Sequence, residues 1–138
     1  MKLINESFLQ VGMPLAKPVN AYCSLRQGGH SKGNFESFNL ADHVDDHPAD
    51  VKANREKLSA LLDLPAEPMW LQQQHTNKVI DADEYEVGMT ADAIIRHKPH
   101  QVCAVMTADC LPILLAERQA KIIAAIHAGW RGLAHEII

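Results

Sequence analysis

The sequence predicts an α+β fold with mixed, largely antiparallel β-sheet layers and flanking helices. Three observations predict it. A single helical stretch lies ahead of a run of short apolar segments. Those segments follow one another instead of alternating with helices, as a doubly wound fold would require. The last two are joined by Glu117-Arg118-Gln119-Ala120-Lys121, a polar connection of hairpin length. With 138 residues the chain is one domain's worth, 1–138, and can bury roughly two-thirds of the surface it exposes when unfolded.

The elements are read in order. Val19-Asn20-Ala21-Tyr22-Cys23-Ser24 is an extended segment, followed by a glycine turn at Gly28-Gly29 and a polar loop from Asn39 to His47. A helix is predicted from Pro48 to about Leu62, because proline suits a first helical position and Val51, Leu58, Leu61 and Leu62 fall on one face. Pro65 and Pro68 close it. Met69–Gln72, Lys78–Ile80, Ala93–Ile95, Val102–Met106, Ile113–Leu115 and Ile122–Ile126 read as strands, several of them buried on both faces. A last helix opens near Gly129.

Composition excludes several function classes. Hydrophobic residues make up 47% and charged residues 22%, so a disordered, collagen-like or coiled-coil chain is excluded. The net charge of -4 and 5% aromatic content give neither the basic footprint nor the stacking surface of a nucleic-acid binder. No apolar run is long enough to span a membrane, and the first residues lack the apolar core of a signal peptide. Three scattered cysteines, Cys23, Cys103 and Cys110, form no CxxC pair, which points to free thiols and a reducing cytoplasm.

Of eight histidines, His43, His47, His97 and His100 sit in polar stretches and read as solvated, while His30 and His135 have no evident partner. Three positions differ, because each ends a buried segment beside turn chemistry. These are His75 in Leu71–Thr76, Cys110 in Met106–Pro112 and His127 in Ile126–Gly132. Polar groups at strand ends are where sites are commonly built. Two imidazoles and a thiolate match catalytic zinc with an open fourth position. On spacing alone they also allow a Cys-His nucleophilic pair, and inert burial is the commonest reading of such residues. A copper cluster fits less well, since the chain has no His-x-His element and one cysteine with two histidines suits a single metal. Arg26 beside the Gly-Gly turn, and Arg131 at the start of the last helix, are candidate anion-binding residues. Gly129 and Gly132 can equally be read as allowing tight helix–strand packing.

These segments together resemble a known family. The blocks are Ser24–Ser31, Phe35–Leu40, Asn54-Arg55, Trp70–His75, Ala91-Asp92-Ala93, Thr107-Ala108-Asp109-Cys110-Leu111-Pro112 and His127-Ala128-Gly129-Trp130-Arg131-Gly132-Leu133. They stand in the order of the laccase-domain, polyphenol-oxidase-like family of purine nucleoside phosphorylases, which includes a peptidoglycan-editing factor. The match runs from near Met1 to Ile138. Thr76, His30 and Arg96 depart mildly from the family's usual residues. Family members continue past the last helix, so the chain resembles an N-terminal portion, truncated at its C-terminus.

The resemblance implies a sandwich-like α/β fold shared with Cys-His toxin deamidases. It implies one zinc ion held by His75, Cys110 and His127. It also implies phosphorolysis of adenosine, inosine and methylthioadenosine, with some adenosine deamination. In that reading Arg26 and Arg131 hold phosphate, Asp109 orients a ligand or shuttles a proton, and Asn39 and Gln73 hydrogen-bond substrate or a ligand. Two alternatives stay open. One is a metal-independent hydrolase or amidase with Cys110 as nucleophile and His127 as base, including cell-wall precursor editing. The other is an inactive fragment.

Overall fold

The structure is a computed structural model that describes residues 1–14 and 19–138. The fold is α+β, and the chain divides into two compact units. The first comprises Met1–Pro14 and Asn20–Leu64, and the second contains Pro65–Ile138.

The first unit holds a three-stranded antiparallel sheet in the order β1 (Lys2–Asn5), β2 (Phe8–Gln10), β3 (Tyr22–Ser24). The β1–β2 hairpin is not among the predicted elements. Its strands are three or four residues long and β1 is exposed throughout, so no alternation of apolar and polar residues marks it. Helix α1 (Pro48–Leu61) begins with proline at its first position, as predicted, and carries Asp50 in its first turn, where an acid complements the helix dipole. Its buried face is Val51, Asn54 and Leu58. Leu61, predicted to share that face, is instead 50% exposed. Leu58 joins Phe8 and Phe38 in the core, with the two rings packed edge to face at 5.6 Å.

The Gly28-Gly29 turn is confirmed, and both glycines are required. Gly28 has φ +85°, and a Cβ on Gly29 would collide with the Ser37–Phe38 backbone. Asn54 is fully buried and ties this turn together. Its Oδ1 accepts from the His30 N–H, and its Nδ2 donates to Ser31 Oγ, Ser37 O and Asn39 O.

The second unit is a four-stranded mixed sheet in the order β4 (Val79–Asp81), β5 (Ala93–Arg96), β7 (Ile123–Ala128), β6 (Leu111–Ala116). β4 and β5 run parallel, and the other two pairings are antiparallel. The β6–β7 hairpin closes through Glu117 and Ile122, as the polar connection predicts. One sheet face is covered by Met69, Leu71, Ile80, Ala82 and Ala91 around Ile94 and Ala125. On the other face Ile137 packs against Ala93, Ile126 and Ala128.

Burial on both faces therefore holds for β5 and much of β7. It does not hold for the edge strand β6, where Leu111 is 58% and Leu115 47% exposed. Met69–Gln72 and Val102–Met106 are not strands. They make isolated bridges only, Met69 to Cys103 and Gln72 to Thr90. The ladder stops because a side chain takes over from the backbone: Gln73 Nε2 donates to Met106 O, and the Met106 N–H donates to Gln73 Oε1. After β7 the chain turns at Gly129 into α2 (Trp130–Ala134), the predicted last helix.

Candidate metal centre

Strand order and direction bring the sequence-predicted histidines and cysteine together. β7 runs antiparallel to both its neighbours, so its C-terminal end meets the N-terminal ends of β5 and β6. Ala93 faces Ile126, Pro112 faces His127 and Leu111 faces Ala128. β4 lies parallel to β5 with Val79 opposite Ala93, so the loop entering β4 reaches the same edge. That edge receives His127 from β7, Cys110 one residue before β6, Asp92 one residue before β5, and His75 from the loop before β4. Residues up to 52 positions apart in the chain thus meet at one edge of one sheet.

The ligand atoms of His75, Cys110 and His127 all lie within 4.8 Å of one another. Cys110 Sγ is 3.6 Å from His75 Nε2, and the two imidazoles meet edge to face at 4.8 Å between centroids. His127 is only 5% exposed.

Behind the cluster, Asp92 is fully buried and accepts five hydrogen bonds. Its Oδ1 takes the His75 N–H at 3.0 Å and His127 Nδ1 at 2.8 Å. Its Oδ2 takes the N–H of Gln74 at 3.2 Å, the N–H of Thr76 at 2.7 Å and Thr76 Oγ1 at 2.7 Å. Burial pushes this carboxyl up, but the hydrogen bonds from His127, Thr76 and Gln74 outweigh it and hold Asp92 below the usual carboxylate range. A carboxylate oxygen only accepts, so His127 Nδ1 is the donor, and in the neutral ring Nε2 is the nitrogen that carries the lone pair. The three N–H groups converging on Asp92 also hold His75 at φ +57°, a left-handed conformation that a non-glycine residue adopts at a cost.

Gly129 completes the enclosure. A Cβ there would lie 2.7 Å from His75 Cδ2 and 3.0 Å from Cys110 Sγ. Its φ of -69° is open to any residue, so the constraint is room beside His75 and Cys110, not backbone freedom. The reading of Gly129 as a helix-packing glycine is corrected accordingly. That reading does fit Gly132, where a Cβ would press on Thr76 O and Ile137.

One thiol and two imidazoles gathered within 4.8 Å are a donor set that could hold one metal ion. Among the described residues this is the one group of three or more His, Cys, Asp or Glu side chains suited to hold a metal.

The other predicted site residues are placed as follows. Asp109 is exposed beside Cys110. Arg131 is exposed on the five-residue α2, with its guanidinium 4.4 Å from the Trp130 ring centroid. Gln73 has both ends of its carboxamide engaged by Met106. Arg26 and Asn39 belong to the first unit. There Arg26 donates from Nε and Nη2 to Glu36 O, and Asn39 binds Ala41 and Asp46. The four histidines read as solvated are exposed, although His97 Nε2 lies 3.1 Å from Asp81 Oδ2. Asp92 stands in the Ala91-Asp92-Ala93 block, and the sequence alone assigns it no role. The signal was there: a lone carboxylate opening an apolar strand, Ala91-Asp92-Ala93-Ile94-Ile95.

Comparison with known proteins agrees with this architecture. Residues 20–138 match the family described as multi-copper polyphenol oxidoreductase laccase. The chain belongs to this family. A purine nucleoside phosphorylase of Haemophilus influenzae is 43% identical over 122 residues, covering 88% of this chain and 50% of that protein. The crystal structure of a Neisseria meningitidis protein superposes with a TM-score of 0.88 at 40% identity, covering 96% of this chain and 54% of the other. YlmD from Geobacillus stearothermophilus gives 0.89 at 27% identity, with 99% and 54% covered. The chain thus spans about half the length of the curated relatives it matches. No helix among the described residues is long and apolar enough to cross a membrane.

Proposed function

We propose that the chain carries the metal centre of a cytoplasmic, zinc-dependent purine nucleoside phosphorylase acting on adenosine, inosine and methylthioadenosine, with adenosine deamination as a side activity. The observation that carries this reading is the convergence of His75, Cys110 and His127 to within 4.8 Å, backed by an ionised Asp92. The relatives named purine nucleoside phosphorylase support the substrate class. One thiolate and two imidazoles suit zinc, which would supply Lewis-acid stabilisation of developing negative charge.

The chain's own residues do the rest. His75, Cys110 and His127 would hold the ion, and Asp92 fixes the His127 ring by accepting from Nδ1, which leaves Nε2 as its ligand atom. In phosphorolysis a phosphate oxygen bonds to the ribose C1′ as the glycosidic C–N bond breaks, and the leaving base takes up a proton. Asp109, exposed beside Cys110, is the group we assign to proton movement. Arg131, exposed on α2, bears positive charge of the kind phosphate needs.

The test is incubation with adenosine and phosphate, with zinc measured in the same sample. The reading expects adenine, ribose 1-phosphate and about one zinc per chain. It expects Cys110→Ala to lose the zinc. Unchanged stoichiometric zinc in that variant would sink the assignment.

A metal-independent Cys-His hydrolase remains as second reading because Cys110 Sγ lies in contact with His75 Nε2. His127, oriented through Nδ1 by Asp92, is the base in that reading, and the imidazole in direct contact with Sγ is that of His75. Activity that survives complete zinc removal but disappears on thiol alkylation would favour it. Activity that vanishes on chelation and returns with zinc rejects it.

A further inference from the structure

We propose that Asp92 is the positioning residue that sets two of the three ligands, fixing His127 as its Nδ1–H tautomer and holding the Gln74–Thr76 backbone that presents His75, so that the donor set is formed before any metal arrives. This rests on the proposed reading of the cluster as a metal centre.

The division of labour between the two carboxylate oxygens carries the inference. Oδ1 receives His127 Nδ1 and the His75 N–H. Oδ2 receives the Gln74 and Thr76 N–H groups together with Thr76 Oγ1. Every polar group pointed at Asp92 is thus a donor or, in the case of His127, is made one by it. The Asp92 backbone repeats the link, since the His127 N–H donates to Asp92 O at 2.7 Å. Asp92 is also completely buried, so no water can take the place of a missing acceptor. One side chain therefore anchors the β7 ligand from below and the loop ligand through its backbone. Cys110, on the third side, is outside its reach.

Asp92→Asn is the informative change because it keeps shape and removes one acceptor. The amide oxygen is drawn to the side with most donors, where Gln74 and Thr76 converge. The amide NH2 then faces His127 Nδ1. A donor there makes Nδ1 accept, which moves the ring proton to Nε2 and cancels the lone pair that the site needs. The opposite amide orientation keeps His127 but sets the NH2 against the Gln74 and Thr76 N–H groups, releasing the His75 loop. Either way one ligand is lost.

The experiment is nitrogen-15 NMR of His127 in metal-free protein, above the imidazole titration range, together with Zn2+ titration against a competing chelator. Wild type is expected to show a protonated Nδ1 and a bare Nε2 with no metal present. Asp92→Asn is expected to shift His127 toward the Nε2–H pattern, with Zn2+ affinity down about 10–100-fold. Thr76→Val removes one donor from Oδ2 but leaves the His127 bond. It is expected to keep the Nδ1–H pattern, whatever it does to melting temperature.

A wild-type spectrum with Nε2 protonated overturns the proposal, and that spectrum needs no variant to fold. Asp92→Asn with an unchanged tautomer and unchanged Zn2+ affinity overturns it as well. The outcomes separate from those of the metal-centre reading. Nδ1–H in wild type, with zinc uptake unaffected by Cys110→Ala, supports Asp92 as the positioning residue of His127 and removes the three-ligand centre.

Discussion

Gly129 makes the tightest steric demand at the centre. A Cβ there would lie 2.7 Å from His75 Cδ2 and 3.0 Å from Cys110 Sγ, so a single methyl must displace one of the two side chains. Gly129→Ala is expected to cost about 1–3 kcal/mol, as overpacking a filled site does. It is also expected to weaken zinc binding by more than tenfold, because His75 and Cys110 are the groups that must move. Denaturant unfolding and chelator competition measure the two effects. Zinc affinity equal to wild type would show that the glycine serves only the chain turn.

Cys103 lies away from the metal-binding cluster. It packs against the apolar face of the second unit's sheet, and burial pushes its thiol up to about 11. The folded chain therefore keeps a proton there that the unfolded chain gives up at ordinary cysteine pKa. Stability is expected to fall as pH rises from the ordinary cysteine range to about 11. Below that range the group contributes no pH dependence. Peptide-resolved alkylation at mildly alkaline pH is expected to leave Cys103 largely unmodified. Rapid labelling of Cys103 in folded protein would contradict its packing against the sheet.

At the scale of elements, α1 shows how a polar residue can hold a unit together. Asn54 sits where the helical pattern wants an apolar residue, and it satisfies the His30 N–H, Ser31 Oγ, Ser37 O and Asn39 O. Asn54→Ala leaves these groups without that partner in the interior. The expected loss is about 2 kcal/mol or more, read from denaturant unfolding. A loss below about 0.5 kcal/mol, the range of surface substitutions, would mean that water replaces the amide.

The same contrast explains what the sequence made legible. α1, β5, β7 and the β6–β7 hairpin were readable because each announces itself locally, by a proline start, a continuous apolar run or a polar connection. Met69–Gln72 and Val102–Met106 misled because their apolar runs are genuine but their backbone partner is the Gln73 side chain, a long-range choice with no local mark. The β1–β2 hairpin was missed because its exposed strand has no hydrophobic side to pattern.

At the scale of the whole molecule, the site is a consequence of sheet topology. His75, Cys110 and His127 are legible in the sequence as polar interruptions at the ends of apolar runs. Their meeting at one edge was not legible, because it depends on β7 running antiparallel between β5 and β6. Spacing along the chain carries no trace of that order. The role of Asp92 was hidden for the same reason, since its partners lie 16 to 35 residues away.

X-ray absorption at the zinc edge, on protein loaded with one equivalent of Zn2+, tests the three-ligand centre most directly. The predicted result is one sulfur scatterer at about 2.3 Å with nitrogen scatterers at about 2.0–2.1 Å, and loss of the sulfur shell in Cys110→Ala. A spectrum with no sulfur shell in the wild-type protein would contradict it.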